Sequence, residues 1–391
     1  MYKTRIKNGI IITTSKILYD YDLIIGDKKI INIIKKNEQY DCDKVYDAHG
    51  SFVMPGFIDI HNDYFEAINS LRPNALFDFS LILNELEKEF ISHGITTVFH
   101  SFAIAKPKKY HQRQMRYFSN IKKVLQVIKK HSADVNVMNH KFHLRIETNI
   151  SREINWIKKE LNKNSFDLIS IMNHDLENGP FKDADALKKY LQGMNLPDTE
   201  KAYLERLKKE ERLSIDQIRE LVAIARANNI PVASHDDNSI KKIKEIYSLG
   251  ISISEFPTNI DVAKFAKKIG MHTLAGAPNV VLNRSQNENL LAIEGISNNS
   301  IDILCSDYFP ASMLHAVFIL YKEYNIPLNT AVNLVTINPA SATFIDSEVG
   351  SIDIDKNADL IIVSDDGENP MIQSVFVSGK EVLKLNYLKK I

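Results

Sequence analysis

Between Phe57 and Asp307, short apolar runs alternate with helical patterns eight times, and nothing else in the chain limits its fold so tightly. Alternation of this kind builds βα units around a parallel sheet. The runs cover 57–61, 96–101, 142–147, 168–174, 231–235, 251–256, 272–277 and 301–307. Eight consecutive units predict an α/β chain with a (β/α)8 TIM-like barrel. Helix signals lie between the strands. Ser214-Ile215-Asp216-Gln217 is a capping-box pattern, and Ile218, Leu221, Val222 and Ala225 follow at helical spacing. The charged stretch 175–212 is long for a βα connection. It reads either as a lid over the barrel mouth or as a solvated insertion.

The two ends of the chain have a different texture. Short β-branched runs at 10–14, 23–25 and 30–34 alternate with turns, Gly26-Asp27 among them, and the same style returns after Gly350 in Asp359-Leu360-Ile361-Ile362-Val363 and in 374–379. Both ends are expected to pair into one small β-sandwich module, 1–53 with 347–391, attached to a barrel spanning 54–346. With 391 residues, 44% of them hydrophobic and 25% charged, the chain can bury both cores.

No segment approaches the roughly 18 uncharged apolar residues of a membrane span, and the first residues lack the apolar core and cleavage site of a secretory leader. No membrane association is expected. Cys42 and Cys305 are the only cysteines, which offers neither a disulfide framework nor a thiolate metal cluster and fits a reducing cytoplasm. The 49 basic residues balance the 49 acidic ones, so no global field draws the protein to nucleic acid or to a membrane surface. A polyanionic ligand would have to be held locally.

Five of the eight predicted strands end in a potential metal ligand: His61 with Asp63, Glu147, His174, His235 and Asp307. In an extended strand residues i and i+2 share a side, so His61 and Asp63 can converge while Asn62 faces away. The C-terminal ends of barrel strands meet at one mouth, where the chemistry of such barrels is placed. Three imidazoles and several carboxylates suit one or two divalent ions that activate a water. The oxygen share favours Mn2+ or Mg2+, and the imidazoles keep Zn2+ in play. Asp307 and His235 are also candidates for proton transfer, with Glu147 beside them.

In the third strand Lys141, His143, Arg145 and Glu147 share one face by alternation. Arg145 has two readings, a phosphate clamp or an ion pair to a neighbouring carboxylate. His143 reads as a group that contacts substrate or supports a ligand. In Ser234-His235-Asp236-Asp237 the imidazole is the better ligand, and one of the two carboxylates suits the N-cap of the following helix. Cys305 reads as core.

These residues carry a resemblance. Pro55-Gly56-Phe57-Ile58-Asp59-Ile60-His61-Asn62-Asp63 resembles the first metal motif of the amidohydrolase superfamily, with Asp63 where most members have a second His. His143 to Glu147, Ala233 to Asp237, Ala275 to Asn279 and Ser306 to Ser312 resemble the branch that works in phosphonate metabolism. The resemblance spans 53–340 in order, and it implies a metal-dependent hydrolase that releases pyrophosphate from a ribosyl triphosphate. It also implies that His61, Asp63, His174, His235 and Asp307 are metal ligands, with Glu147 bridging two ions in place of the superfamily's carboxylated lysine. The implied partner is a small phosphorylated sugar, on a scaffold that is often a homo-oligomer.

Two stretches depart from that branch. Asp175-Leu176-Glu177-Asn178-Gly179-Pro180 follows His174, and Asn283 to Asn289 follow Asn279, in loops that would contact substrate rather than metal. Asp175 and Glu177 would repel a triphosphate by about a kcal/mol per close contact at high dielectric. Asn279 and Arg284 are the substrate-binding candidates there, and Arg284 reads equally as a surface residue. The altered loops leave an alternative open, hydrolysis or deamination of a cyclic amide or other ring. A scaffold that has lost catalysis is the third reading, and the presence of every proposed ligand argues against it.

Overall fold

The computed structural model describes residues 1–69, 76–104, 114–133, 137–173, 212–285 and 289–387. His174 and the 175–212 insertion, apart from Arg212, lie outside the described residues. The first strands are β1 (Lys3–Lys7), β2 (Ile10–Ile12), β3 (Ile17–Leu18), β4 (Tyr21–Gly26), β5 (Lys29–Lys35), β6 (Lys44–Asp47) and β7 (Phe52–Pro55). Next come β8 (Phe57–Asn62), β9 (Ile95–Ile104), β10 (Asn139–Glu147), β11 (Leu168–Met172), β12 (Val232–His235), β13 (Ile253–Glu255), β14 (His272–Gly276) and β15 (Ile303–Cys305). Three more follow the barrel: β16 (Leu360–Asp365), β17 (Pro370–Val377) and β18 (Lys380–Lys384).

Strands β8 to β15 lie side by side in chain order and all pair in parallel, so each predicted barrel strand is present. The eighth meets the first at the C-terminal rim. Asp307 N donates to His61 O at 3.1 Å, and Asp63 N donates to Asp307 O at 2.7 Å. Below that rim, Ile58, Phe99, Leu168, Ala233, Ile253, Leu274 and Ile303 form one buried cluster, a plug of side chains from seven strands that makes the interior a core rather than a pore.

The opposite faces of the strands pack under helices that include Phe79–Ser92, Phe118–Ala133, Ile215–Ala227 and Ser312–Glu323. The capping box at Ser214 forms as the sequence predicts, with Ser214 Oγ accepting from Gln217 N and Gln217 Oε1 accepting from Ser214 N. The N-cap expected of Asp236 or Asp237 belongs instead to Ser239, which accepts from Lys242 N ahead of the helix Ile240–Leu249. Asp237 is fully buried and accepts from Ser234, Ser254 and Lys242, bonds that a helix cap on the surface would not make. Among the described residues no helix is long and apolar enough to cross a membrane.

The chain termini build two sheets, β5-β4-β1-β6 and β18-β17-β16-β7-β2-β3. The second joins both ends, since β7 pairs antiparallel with β16 from Pro55 opposite Leu360 to Phe52 opposite Val363. Ile6, Leu23 and Ile25 of one sheet share a core with Val53, Leu360, Ile362 and Phe376 of the other. Gly56 turns the chain from this sheet into the barrel. A Cβ there would lie 2.2 Å from Thr96 Oγ1, so the close approach of β8 to β9 requires the glycine of the Pro-Gly motif.

Asp359 sits at this junction, buried, accepting from Ser378 N at 2.6 Å and Asn139 Nδ2 at 3.0 Å. Burial outweighs those two bonds and pushes its carboxyl up to about 6. An unfolded Asp titrates near 3.9, so the folded chain holds the proton more tightly. The stability this adds is complete below about pH 4 and is lost as pH rises through about 6, an effect of about 3 kcal/mol. Asp359→Asn should abolish it. Melting temperatures of variant and wild type, compared from pH 4.5 to 8, are expected to diverge in favour of the variant as pH rises; parallel curves would refute this role for burial.

Candidate metal centre

Three strand ends at the mouth are followed by non-glycine residues with left-handed backbone, Asp236 (φ 53°), Phe256 (φ 54°) and Asp307 (φ 56°). Such conformations cost about a kcal/mol or more and persist where the surroundings hold them. Each is tied to the adjoining strand: Asp236 N donates to Glu255 O, Phe256 N to Leu274 O, and Asp307 N to His61 O. The turn at Phe256 places its ring edge-on to His61 and tilted against His235, with both centroids at 5.1 Å. The imidazoles are therefore walled on one side by an aromatic ring.

Two groups of donors converge here. His61, His235 and Glu255 bring one ligand atom each to within 4.8 Å of one another, and so do His61, Asp63 and Asp307. Nitrogen and carboxylate oxygen meeting around His61 is a donor set that suits a divalent ion of the Zn2+ or Mn2+ type.

A directed hydrogen-bond chain fixes which nitrogen of His61 is available. Ser170 lies 2.7 Å from Glu255 Oε2, and its single hydroxyl proton goes to that buried carboxylate. Ser170 Oγ therefore accepts from His143 Nε2, and His143 Nδ1 accepts from Ser101 Oγ at 2.9 Å. Ser101 in turn accepts from Asn62 N at 3.0 Å; the Ile60 carbonyl, 3.1 Å from His143 Nδ1, is the weaker competitor. Burial holds the His143 imidazole down to about 3, so it stays neutral in this chain. The other oxygen of Glu255 accepts from His61 Nδ1 at 3.0 Å. Nε2 of His61 faces Asp63 and Asp307, the arrangement of a metal-binding His oriented by a carboxylate; burial opposes a charge on this ring but Glu255 outweighs it and raises its pKa, so a metal bound there would displace a proton. Burial works against the charge on Glu255, but His61, by its charge and by the hydrogen bond from its Nδ1, outweighs it and keeps Glu255 ionised.

Asp63 and Arg145 form a two-pronged ion pair, with Nη1 at 2.6 and 2.8 Å from the two carboxylate oxygens. Nη2 of the same guanidinium reaches His235 Nε2 at 3.3 Å. Of the two readings of Arg145, the ion pair is the one formed in the structure, and it sets a permanent cation among the donors. Burial disfavours the Asp63 charge, yet Arg145 and His61 hold its carboxyl well below the usual range. Asp307 differs: burial, with Asp63 nearby, raises it to about 6. Two carboxylates a few ångströms apart are thereby set up to behave differently, one fixed as an anion and one able to exchange a proton near neutrality. Asp59, beneath them, accepts from Ser306 N, Ser306 Oγ and Asn62 Nδ2 and so anchors the Ser306-Asp307 turn.

Other proposed residues stand differently. Glu147 ends β10 half-buried and belongs to neither donor group among the described residues. His174 lies outside them. The Asn279 amide is engaged by the chain itself, donating to Leu290 O at 3.3 Å and accepting from Ala292 N at 3.0 Å. Arg284 is exposed. Cys305 is buried, and burial pushes its thiol well up, so it is core. Sequence reasoning missed Glu255, Ser170 and Ser101. Glu255 carried the same signal as the others, an ionisable residue closing a short apolar run.

The sequence and the fold have counterparts among known proteins. The Amidohydrolase family model matches residues 52–382. The alpha-D-ribose 1-methylphosphonate 5-triphosphate diphosphatase of Escherichia coli (strain K12) is 29% identical over 381 residues, covering 95% of this chain and 100% of that protein. Among solved structures, N-acetylglucosamine-6-phosphate deacetylase from Pasteurella multocida aligns with a TM-score of 0.67 at 14% identity, over 97% of this chain and 99% of that one. Dihydropyrimidinase from Brevibacillus agri NCHU1002 aligns with a TM-score of 0.61 at 14% identity, over 98% and 95%. At that level of identity the two structures speak for the fold alone.

Proposed function

The chain belongs to the amidohydrolase family, and from that premise we propose that it hydrolyses a phosphoanhydride, releasing pyrophosphate from ribose 1-methylphosphonate 5-triphosphate in phosphonate catabolism. The observation that carries this reading is the end-to-end similarity to the Escherichia coli diphosphatase, 29% over 95% of this chain. The mouth agrees with it chemically. A buried guanidinium stands among the donors, and Arg116, paired with Glu66 at 2.8 Å, is near enough to help lower the Asp63 carboxyl.

His61, Asp63, His235 and Asp307 would hold the divalent metal, with His174 and Glu147 as further ligands. A divalent ion bound there supplies Lewis acidity and makes a water acidic enough to act as nucleophile at neutral pH. The chain's own part is positional. Asp307 takes the proton of the attacking water, a role its carboxylate beside His61 and Asp63 allows. Water oxygen bonds to the α-phosphorus, the α–β bridging bond breaks, and pyrophosphate leaves. Arg145 offsets the charge that builds on the phosphoryl oxygens. No covalent enzyme intermediate is required.

The test is pyrophosphate release from ribose 1-methylphosphonate 5-triphosphate by metal-stripped protein given Mn2+, Mg2+ or Zn2+. Metal-restored release is the expected result. Tight metal binding without release would move the substrate towards the alternative that the altered loops favour, a cyclic amide or deaminable ring, and a dihydropyrimidine panel would then be tried. Absence of metal binding would remove the centre altogether.

A further inference from the structure

Alternation along β9 and β10 turns Ser101, His143 and Arg145 into the barrel and turns His100 and His140 outward, beneath the helices. There they meet two more groups of the same chemistry. Glu87 comes from the helix Phe79–Ser92 and His131 from the helix Phe118–Ala133. One oxygen of Glu87 receives His140 Nε2 at 2.8 Å and His131 Nε2 at 3.1 Å, and the three ligand atoms lie within 4.8 Å of one another. The His140 side chain is fully enclosed, whereas those of Glu87 and His131 are 10% and 14% exposed, so the cluster opens to solvent at one edge.

We propose that Glu87, His131 and His140 form a zinc site, separate from the barrel mouth, that ties these two helices to the barrel wall. Two imidazoles and one carboxylate are a common ligand set for Zn2+, with a fourth position for water. A tetrahedral ion with bonds of about 2.0 Å spaces its ligand atoms about 3.3 Å apart, a few tenths wider than the distances here. Small side-chain adjustments would supply that space. The supporting contact is also in place: His140 Nδ1 lies 2.9 Å from His100 Nε2, and the two rings stack at 5.2 Å with an interplanar angle of 11°. A His that binds metal usually donates its second ring N–H to an acceptor that fixes the ring, and the lone pair of His100 Nε2 would serve as that acceptor here. Burial lowers His140 and His100, and the two imidazoles lower Glu87 against its own burial. A neutral imidazole facing an ionised carboxylate is the protonation state in which metal binds.

The experiment counts zinc. Full-length protein is stripped with a chelator, dialysed against Zn2+, freed of excess and analysed for metal per chain. Four forms are compared: wild type, His131→Ala, His235→Ala and the double variant. His131→Ala should carry one zinc fewer than wild type, and the same difference of one should separate the double variant from His235→Ala. Zinc should also raise the melting temperature of His235→Ala and leave that of the double variant unmoved. Should His131→Ala fail to fold, His131→Gln keeps the volume and a donor to Glu87 and should show the same loss. Equal zinc counts across each pair, with zinc-independent melting, would mean that the cluster is a hydrogen-bond hub and overturn the proposal. Because the readout is metal content and stability, it is independent of what the barrel mouth hydrolyses.

Discussion

His235→Ala and Asp307→Asn are each expected to reduce turnover by a factor of about a thousand or more while leaving the fold intact. The fold should survive for reasons specific to each position. Asp307 adopts a left-handed backbone that Asn tolerates as well as Asp does, and the bonds that close the barrel there run through its backbone N and O. Its carboxyl is raised by burial, so exchange for a neutral amide relieves a cost rather than adding one. His235 lies at the rim, against the Phe256 ring and Arg145, and outside the apolar plug of the barrel. Its removal leaves a space that water can fill.

The chemistry should not survive, because each variant takes away a donor that converges on His61. Pyrophosphate release, metal content and a thermal melt on the same preparations are sufficient. Full activity in either variant would dismantle the proposed centre. Lost activity with a collapsed melt would instead show that these side chains hold the barrel together.

The extent to which sequence disclosed this arrangement follows from where its contacts lie. All eight barrel strands were legible, because a strand buried on both faces must be a short apolar run and the helices between them carry their own caps and periodicity. Of the strand-end candidates, His61, Asp63, His235 and Asp307 come together at the mouth, whereas Glu147 joins neither donor group among the described residues and His174 lies outside them. What stayed hidden depends on partners far apart in the chain. Glu255 acts on His61 from 194 residues away, and the chain through Ser101 and Ser170 exists only once five strands are assembled in the barrel. Serines inside apolar runs give no local hint of that. Asp236 and Asp237 looked like candidates for a cap because they precede the next helix, yet Ser254 and Lys242 converge on the Asp237 carboxylate in the interior. Asn279 likewise shows no sequence sign that the 290–292 backbone will take its amide.

Glu255→Gln is the second large effect, and it follows from the direction of that hydrogen-bond chain. In the native arrangement both carboxylate oxygens accept, one from His61 Nδ1 and one from Ser170 Oγ. A glutamine has only one oxygen to offer. If that oxygen keeps His61, the amide NH2 faces Ser170, which must then accept from it and turn its own proton towards His143 Nε2. His143 responds by protonating Nδ1, which can donate to the Ile60 carbonyl 3.1 Å away, and the bond from Ser101 has to reorient. If the amide is turned the other way, its NH2 confronts His61 Nδ1 and drives the proton to Nε2, the nitrogen that faces Asp63 and Asp307. Both outcomes weaken His61 as a ligand, the first by removing the negative charge that makes the ring a strong donor and the second by protonating the donor atom. Loss of such a carboxylate partner generally lowers metal affinity by about 10- to 100-fold. Chelator competition on the purified variant should show that weakening, and excess metal should restore part of the turnover. That rescue separates an orienting role from a chemical one, since a group that itself transferred the proton would leave turnover low at saturating metal. Unchanged metal affinity in Glu255→Gln would show that Glu255 does not orient His61.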